Sequence, residues 1–139
     1  HNNYPEGPTY PIRSITNGKW RYIRNLSHAS LYIEKHLMGK HEHNPYWSSW
    51  VFSSFSNPKH EMLVNRFMKR PAEELYHTNE DPYELTNLAS NPAHARIKET
   101  LATVLAQHLK DQGDPGLSLD THKAHKAAAN LTPSFQSKP

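Results

Sequence analysis

The sequence has no cysteine among its 139 residues. Disulfide bonds, zinc–thiolate sites and a cysteine nucleophile are therefore excluded within this chain. Long apolar runs are absent as well, and no stretch approaches the roughly 20 apolar residues that a membrane-spanning helix needs. There is no glycine-rich phosphate loop and no G-x-S-x-G elbow, and the H-E-x-x-H zinc motif fails because Val64 replaces its second histidine. We therefore expect no membrane partner and assign no catalytic residue from these motifs.

The chain carries 16 Lys and Arg, 13 Asp and Glu and 11 His, which gives a formal net charge of +3. Its 35% hydrophobic residues and 11 prolines are typical of a soluble, loop-rich globular segment. The first residue is His1, and no signal-peptide pattern precedes the first predicted strand. We expect the chain to be an excerpted or processed piece of a protein.

The clearest local signal is an Asn17-Gly18 pair between two β-rich runs, which predicts a hairpin over residues 10–25. A two-residue turn centred on this pair places Thr16 opposite Lys19. In that register each face of the hairpin carries both apolar and basic groups, so neither face is expected to be fully solvated.

Three Asn-Pro pairs each precede a stretch with helical apolar spacing: Asn44-Pro45, Asn57-Pro58 and Asn91-Pro92. Asparagine suits the N-cap and proline suits the first helical position, which needs no N–H partner. The pattern predicts a helical insertion over residues 44–70 and a C-terminal helix over 91–112 that ends near Gly113. The apolar stripe of that last helix includes Leu101, Val104 and Leu105.

Between these helices, residues 73–78 are predicted to form a strand. Asp81-Pro82-Tyr83-Glu84 matches a capping box and predicts a short helical turn. The whole order indicates an α+β fold, a small antiparallel β-sheet packed by a C-terminal α-helix, with the helical insertion. Nothing in the chain is expected to cover one sheet face well, which suggests a missing neighbour. Residues 117–139 are expected to form a flexible tail.

The histidines invite a metal interpretation, but neither of their two groups is completed by a carboxylate or cysteine pattern. The groups are His36, His41 and His43, and His122 and His125. We therefore assign no metal site.

Two aromatic stretches allow two interpretations each. The basic and aromatic run KWRYIR, residues 19–24, either stacks on single-stranded nucleic acid or forms ordinary cross-strand packing. The aromatic residues of the insertion either line a ligand-binding wall or pack in a core. They are Tyr46, Trp47, Trp50, Phe52 and Phe55.

Three stretches carry a family resemblance: YPIRSITNGKWRYIRNL, NPYWSSWVFSSFSNPKHEMLVNRFMKRPAEELY and, most specifically, ELYHTNEDPYELTNLASNP. They resemble the C-terminal subdomain of the type I, formylglycine-dependent sulfatases, which are alkaline-phosphatase-like, and in particular the heparan N-sulfatase-like (N-sulfoglucosamine sulfohydrolase-like) members. The resemblance covers residues 10–116, within a subdomain spanning 1–116. His77 departs from the family's usual Asp, and we expect this to change only a turn contact.

The resemblance implies a four-stranded antiparallel sheet docked on a larger upstream α/β domain. That domain is expected to hold formylglycine and calcium, so we expect no cofactor, no catalytic residue and no metal ligand in this segment. The stretches SNPKH and SNPAH approach the family's nucleophile motif, but both have His where its Arg belongs, and we interpret both as helix caps. The resemblance also implies His1 as the candidate substrate contact, at the place of a loop histidine that faces the active site in the N-sulfatase-like members; an ordinary loop histidine is the equal alternative.

The resemblance also implies a function and a location. We expect the C-terminal portion of a sulfatase that hydrolyses sulfate ester or N-sulfate groups on a sulfated glycan such as a glycosaminoglycan. Its expected partners are the upstream catalytic domain and the sulfated carbohydrate, not nucleic acid, in the periplasm or outside the cell, or in lysosomes if eukaryotic. The alternative is a stand-alone carbohydrate- or nucleic-acid-binding module.

Overall fold

The computed structural model describes residues 9–38, 45–118 and 123. The described residues form an antiparallel sheet and several helices, which confirms the α+β prediction. In chain order they are β1 (Ile12–Thr16), β2 (Trp20–Asn25), α1 (Lys35–Met38), α2 (Pro45–Ser54), α3 (Pro58–Met68), β3 (Glu73–His77) and α4 (Ala95–Asp111). Short 3-10 turns occupy Pro92–His94 and Gly116–Ser118.

The sheet has the strand order β1-β2-β3, with both neighbouring pairs antiparallel. The resemblance implied four strands, and the described residues supply three. The strand predicted over 73–78 is confirmed with one residue fewer at its end.

The hairpin forms, but its turn lies one residue later than predicted. Thr16 pairs with Arg21 rather than with Lys19, and Gly18 takes the left-handed φ of 88°. The cause is the side chain of Asn17, whose Oδ1 accepts from the backbone N–H groups of Lys19 and Trp20 at 3.1 and 2.8 Å. Each residue keeps its predicted face, because the partners move by two positions, but it meets a different neighbour.

One face of the sheet packs against α4 to form the core. Tyr22 and Leu75 are cross-strand partners on this face, and both are buried with Leu101 and Leu105 of α4. Val104 was predicted to share the apolar stripe, but its side chain is 49% exposed because it lies on the outer flank of the helix. The core is therefore the interface between the sheet and one narrow stripe of α4.

The Asn-Pro pairs begin helices as predicted. The side chain of Asn57 accepts from the N–H groups of Lys59 and His60, and that of Asn91 accepts from Ala93. The helix predicted over 91–112 starts with the 3-10 turn and becomes α-helical at Ala95. α2 likewise begins at Pro45, and Asn44 lies outside the described residues.

The C-terminus of α4 ends in a Schellman motif at the predicted glycine. Gly113 has a φ of 66° and donates to the carbonyl of Lys110, while the N–H of Asp114 donates to Leu109. Asp114 then accepts from Arg13 of β1, whose Nε lies 2.5 Å from Oδ2. This pair fixes the end of the helix to the edge of the sheet.

The helical turn predicted from the capping box is wrong. Asp81 Oδ2 accepts from the N–H of Thr86 at 2.7 Å, and Glu84 adopts a left-handed φ of 54°, which prevents a helix from continuing. The carboxylate of Glu84 does not turn back to Asp81 but pairs with Arg21 on β2 at 2.8 Å. A contact with a distant strand thus replaces the local cap.

Several predictions fall outside the described residues. They include His1, His41, His43, His122 and His125, and all of the predicted tail except residues 117, 118 and 123. Among the described residues, no helix is both long enough and apolar enough to cross a membrane.

Candidate functional site

The sheet face opposite α4 forms the floor of an open cleft roofed by α2 and α3. Its volume is about 840 Å³. Ile23 and Tyr76 form part of the floor, because side chains alternate along each strand and these two point away from the α4 core. We call this space the α2–α3 cleft; its walls include Trp47, Trp50, Leu63 and Phe67.

The aromatic insertion lines this cleft instead of filling a core. Neither α2 nor α3 contains a buried residue, so the packed-core interpretation is wrong for the insertion. Trp47 packs on Phe67 with ring centroids 5.5 Å apart, and Trp47 and Trp50 both face the cleft. Phe52 and Phe55 are 77% and 82% exposed. Trp47 and Trp50 therefore line a cleft, and binding of a ligand there stays a prediction.

A carboxylate is buried in the floor of the cleft. Glu74 accepts from Asn25 Nδ2 at 2.6 Å and from the hydroxyl of Tyr76. Burial raises the pKa of Tyr76, and its hydrogen bond to Glu74 raises that pKa further, so the phenol keeps its proton and serves as a donor. Glu74 is consequently committed to the fold and is not a free acid or base.

The preceding residue, Glu73, points to the opposite face. It accepts from the hydroxyl of Tyr22 and from Lys98 Nζ, the latter at 3.2 Å. The pKa of Glu73 is lowered, chiefly by the hydrogen bond from Tyr22. Because Glu73 and Glu74 face opposite sides of one strand, these adjacent carboxylates cannot act as a catalytic pair.

Two arginines project toward the cleft. The Arg66 guanidinium lies 5.6 Å from the centroid of the Tyr76 ring, and that of Arg70 lies 4.3 Å from the Tyr32 ring. Within the described part of the chain neither guanidinium forms an ion pair with a carboxylate. Arg70 Nε is buried and has no hydrogen-bond partner there. Arg66 lies in α3 and Arg70 lies two residues beyond its end, so no helical spacing in the sequence marks the two as a pair.

A serine and a histidine also meet at the wall of the cleft. Ser53 Oγ lies 2.6 Å from His60 Nδ1. The amide of Asn57 is oriented by its capping role, which turns its Nδ2 toward His60 Nε2 at 3.4 Å. The side chains of Ser53 and Asn57 thus contact opposite nitrogens of the His60 ring, and the Ser53–His60 contact joins α2 to α3.

The KWRYIR run is used in protein packing. The ring of Trp20 contacts His77 edge-on at 4.5 Å and His94 at 5.1 Å, and Tyr22 is in the core. Both aromatic rings are thus engaged by the chain's own residues, which favours the cross-strand interpretation. His77 also accepts from the N–H of Glu80 at 3.2 Å, the kind of turn contact expected at this position.

In the described ranges, no cluster of three or more His, Cys, Asp or Glu residues could hold a metal ion. These residues therefore do not fit a calcium site. The SNPKH and SNPAH stretches act as helix caps through Asn57 and Asn91. The candidate substrate contact, His1, lies outside the described residues, so its role stays a prediction.

Comparison with known proteins found no matching family model. A relative is the ulvan-active sulfatase of Formosa agariphila, which is 34% identical over 105 residues. The match covers 76% of this chain. The chain contains a sulfatase-related region. The matched part of this chain spans 18% of the relative's length, so the similarity concerns a small part of a much longer protein. The specific N-sulfatase-like branch is not supported by this match.

Proposed function

We propose that this chain is the C-terminal portion of a type I sulfatase that hydrolyses sulfate ester or N-sulfate groups on a sulfated glycan. The observation that carries the proposal is the 34% identity over 105 residues to a protein named as a sulfatase. The α+β fold, with α4 across a small antiparallel sheet, agrees with the subdomain that the resemblance implied.

The chemistry is assigned to residues upstream of this chain. In the family that the chain resembles, formylglycine supplies the nucleophile and calcium stabilises developing negative charge. Among the described residues no cluster could hold a metal ion, and Glu73 and Glu74 are held by hydrogen bonds on opposite faces of one strand. We therefore propose that the chain alone is inactive, packs on the catalytic domain and forms one wall of the substrate pocket.

Three finer assignments rest on the resemblance. They are an N-sulfatase-like substrate preference, a periplasmic, extracellular or lysosomal location, and His1 as a substrate contact. The relative's name adds ulvan as a second substrate to test.

The test is sulfate release by the longer protein that carries this chain. N-sulfated and O-sulfated oligosaccharides and ulvan are incubated with the longer protein and with the 139-residue chain, and free sulfate is measured by ion chromatography. We expect release by the longer protein alone, and we expect His1→Ala to raise KM with little change in kcat. An upstream sequence without a C-x-P-x-R or S-x-P-x-R motif, or no release from any substrate, would overturn the proposal.

The alternative binding module makes a different prediction. In that case the 139-residue chain binds a sulfated oligosaccharide or RNA directly, and no sulfatase sequence precedes it. Fluorescence anisotropy with labelled ligands separates the two functions.

A further inference from the structure

We propose that the α2–α3 cleft and the exposed apolar surface of its two helices are the contact surface for the catalytic domain of the same polypeptide. We also propose that Arg70 pairs there with a carboxylate of that domain. This inference rests on the proposed function and identifies the surface and the chemistry of its partner.

The first argument is the contrast between α4 and the helical insertion. α4 buries Leu101 and Leu105 against the sheet, as a surface helix of a folded domain should. α2 and α3 together contain no buried residue. Their exposed large apolar side chains are Tyr46, Trp50, Phe52, Phe55, Met62 and Leu63. So many exposed large apolar side chains on one insertion indicate a contact with another protein surface.

The second argument is an arginine in the cleft whose donors are not all used. Glu84 pairs with Arg21, and Arg66 Nη2 already donates to the hydroxyl of Tyr76 at 3.5 Å. Arg70 Nε is buried without an acceptor, and leaving such a donor unpaired costs about 1–3 kcal/mol. A carboxylate is the strongest partner for a guanidinium because it can accept two parallel hydrogen bonds.

The charge and the extent of the surface select among possible occupants. A second copy of this chain, docked on the same surface by two-fold symmetry, would bring a second Arg70 to the interface. A small glycan in the cleft would leave Phe52 and Phe55 uncovered, because neither lines the cleft. A further domain of the same polypeptide is large enough to cover the cleft and both phenylalanines, and the matched relative shows how much polypeptide is available, since this chain spans 18% of it.

The first experiment is hydroxyl-radical footprinting of the longer protein, with the same protein unfolded in urea as the reference. We expect Phe52 and Phe55 to be labelled roughly tenfold more slowly in the folded protein, because the centre of an interface excludes water. Val104, which is exposed on α4, is the internal control and should be labelled at nearly its unfolded rate. Labelling of both phenylalanines as fast as Val104 would overturn the inference.

The second experiment identifies the carboxylate. A water-soluble carbodiimide joins an amine to a carboxylate in contact, so the Arg70→Lys variant of the longer protein should form a cross-link to an acidic residue upstream of this chain. Arg21→Lys is the positive control, because Glu84 already lies beside that position. A cross-link from position 70 only to Glu74 or Glu84, or none, would refute the pairing, and a cross-linked dimer would refute the choice of occupant.

Sulfate release from the same preparations separates this inference from the proposed function. An active sulfatase with unprotected Phe52 and Phe55 refutes the surface assignment alone. A protein that shows protection and the cross-link but releases no sulfate refutes the sulfatase assignment and leaves the docking surface established for a different domain.

Discussion

Leu101 and Val104 provide a direct test of the core, because the sequence places both on one apolar stripe and the structure separates them. Leu101 is 4% exposed and packs in the cluster that contains Tyr22, Leu75 and Leu105, whereas Val104 is 49% exposed. Replacing Leu101 by Ala removes three buried carbon atoms and leaves a cavity between the helix and the sheet. We expect the free energy of unfolding to fall by about 2–5 kcal/mol.

The matched control is Val104→Ala on the same helix, for which we expect a change within about 0.5 kcal/mol. A loss of about 3 kcal/mol corresponds to a decrease in Tm of roughly 10 °C for a chain of this size. Since whole domains are stable by only about 5–15 kcal/mol, Leu101→Ala removes a large share of the total.

Urea unfolding of the chain, followed by far-ultraviolet circular dichroism, measures both values. The denaturant midpoint should move strongly for Leu101→Ala and hardly at all for Val104→Ala, with similar slopes. Equal losses for the two variants would show that α4 does not pack on the sheet through the stripe described above, and would refute the assignment of the core.

Two further predictions concern a helix cap and a buried ion pair. Asn57→Ala should lower the free energy of unfolding by about 1 kcal/mol, because the first N–H groups of α3 lose their acceptor. Asn57→Asp keeps an acceptor, and thermal unfolding should show it close to wild type. An equal loss of stability in both variants would contradict the capping role. The hydrogen bond from Arg13 lowers the pKa of Asp114 in the folded chain. The contribution of this carboxylate to stability is therefore present above its unfolded pKa of about 3.9, and it is lost as the pH falls through the lower folded value. Urea midpoints measured down through that range should decline less steeply for Asp114→Asn than for wild type, and identical slopes would exclude the pair as a source of acid sensitivity.

Features that depend on local chemistry could be predicted from the sequence. The Asn-Pro helix starts and the glycine that ends α4 were placed correctly, since each needs only its own neighbours. The hairpin turn was placed one residue early because two local preferences compete there. Asn-Gly favours the centre of a two-residue turn, but the Asn17 side chain gains two hydrogen bonds by standing just before it.

Features that depend on distant residues could not be predicted in this way. The capping box at Asp81 failed because Glu84 is drawn to Arg21, a residue that the sequence gives no reason to place nearby. The α2–α3 cleft also depends on residues that are distant in the sequence. Arg66 and Arg70 are both visible in the sequence, but their lack of a carboxylate partner among the described residues follows only from the fold.

The stretch ELYHTNEDPYELTNLA, which carries the strongest resemblance, completes the outer edge of the sheet. Asn87 Oδ1 accepts from the N–H of Leu75 at 2.9 Å, its Nδ2 donates to the carbonyl of Glu73, and Leu88 donates to the carbonyl of Leu75. Ala89 then enters the core. Exposed strand edges invite pairing with other chains, and here the chain returns after its turn to occupy the hydrogen-bonding groups of β3. This stretch therefore protects the edge of the sheet and adds to its core, while the α2–α3 cleft lies on the other side of the sheet, beneath α2 and α3.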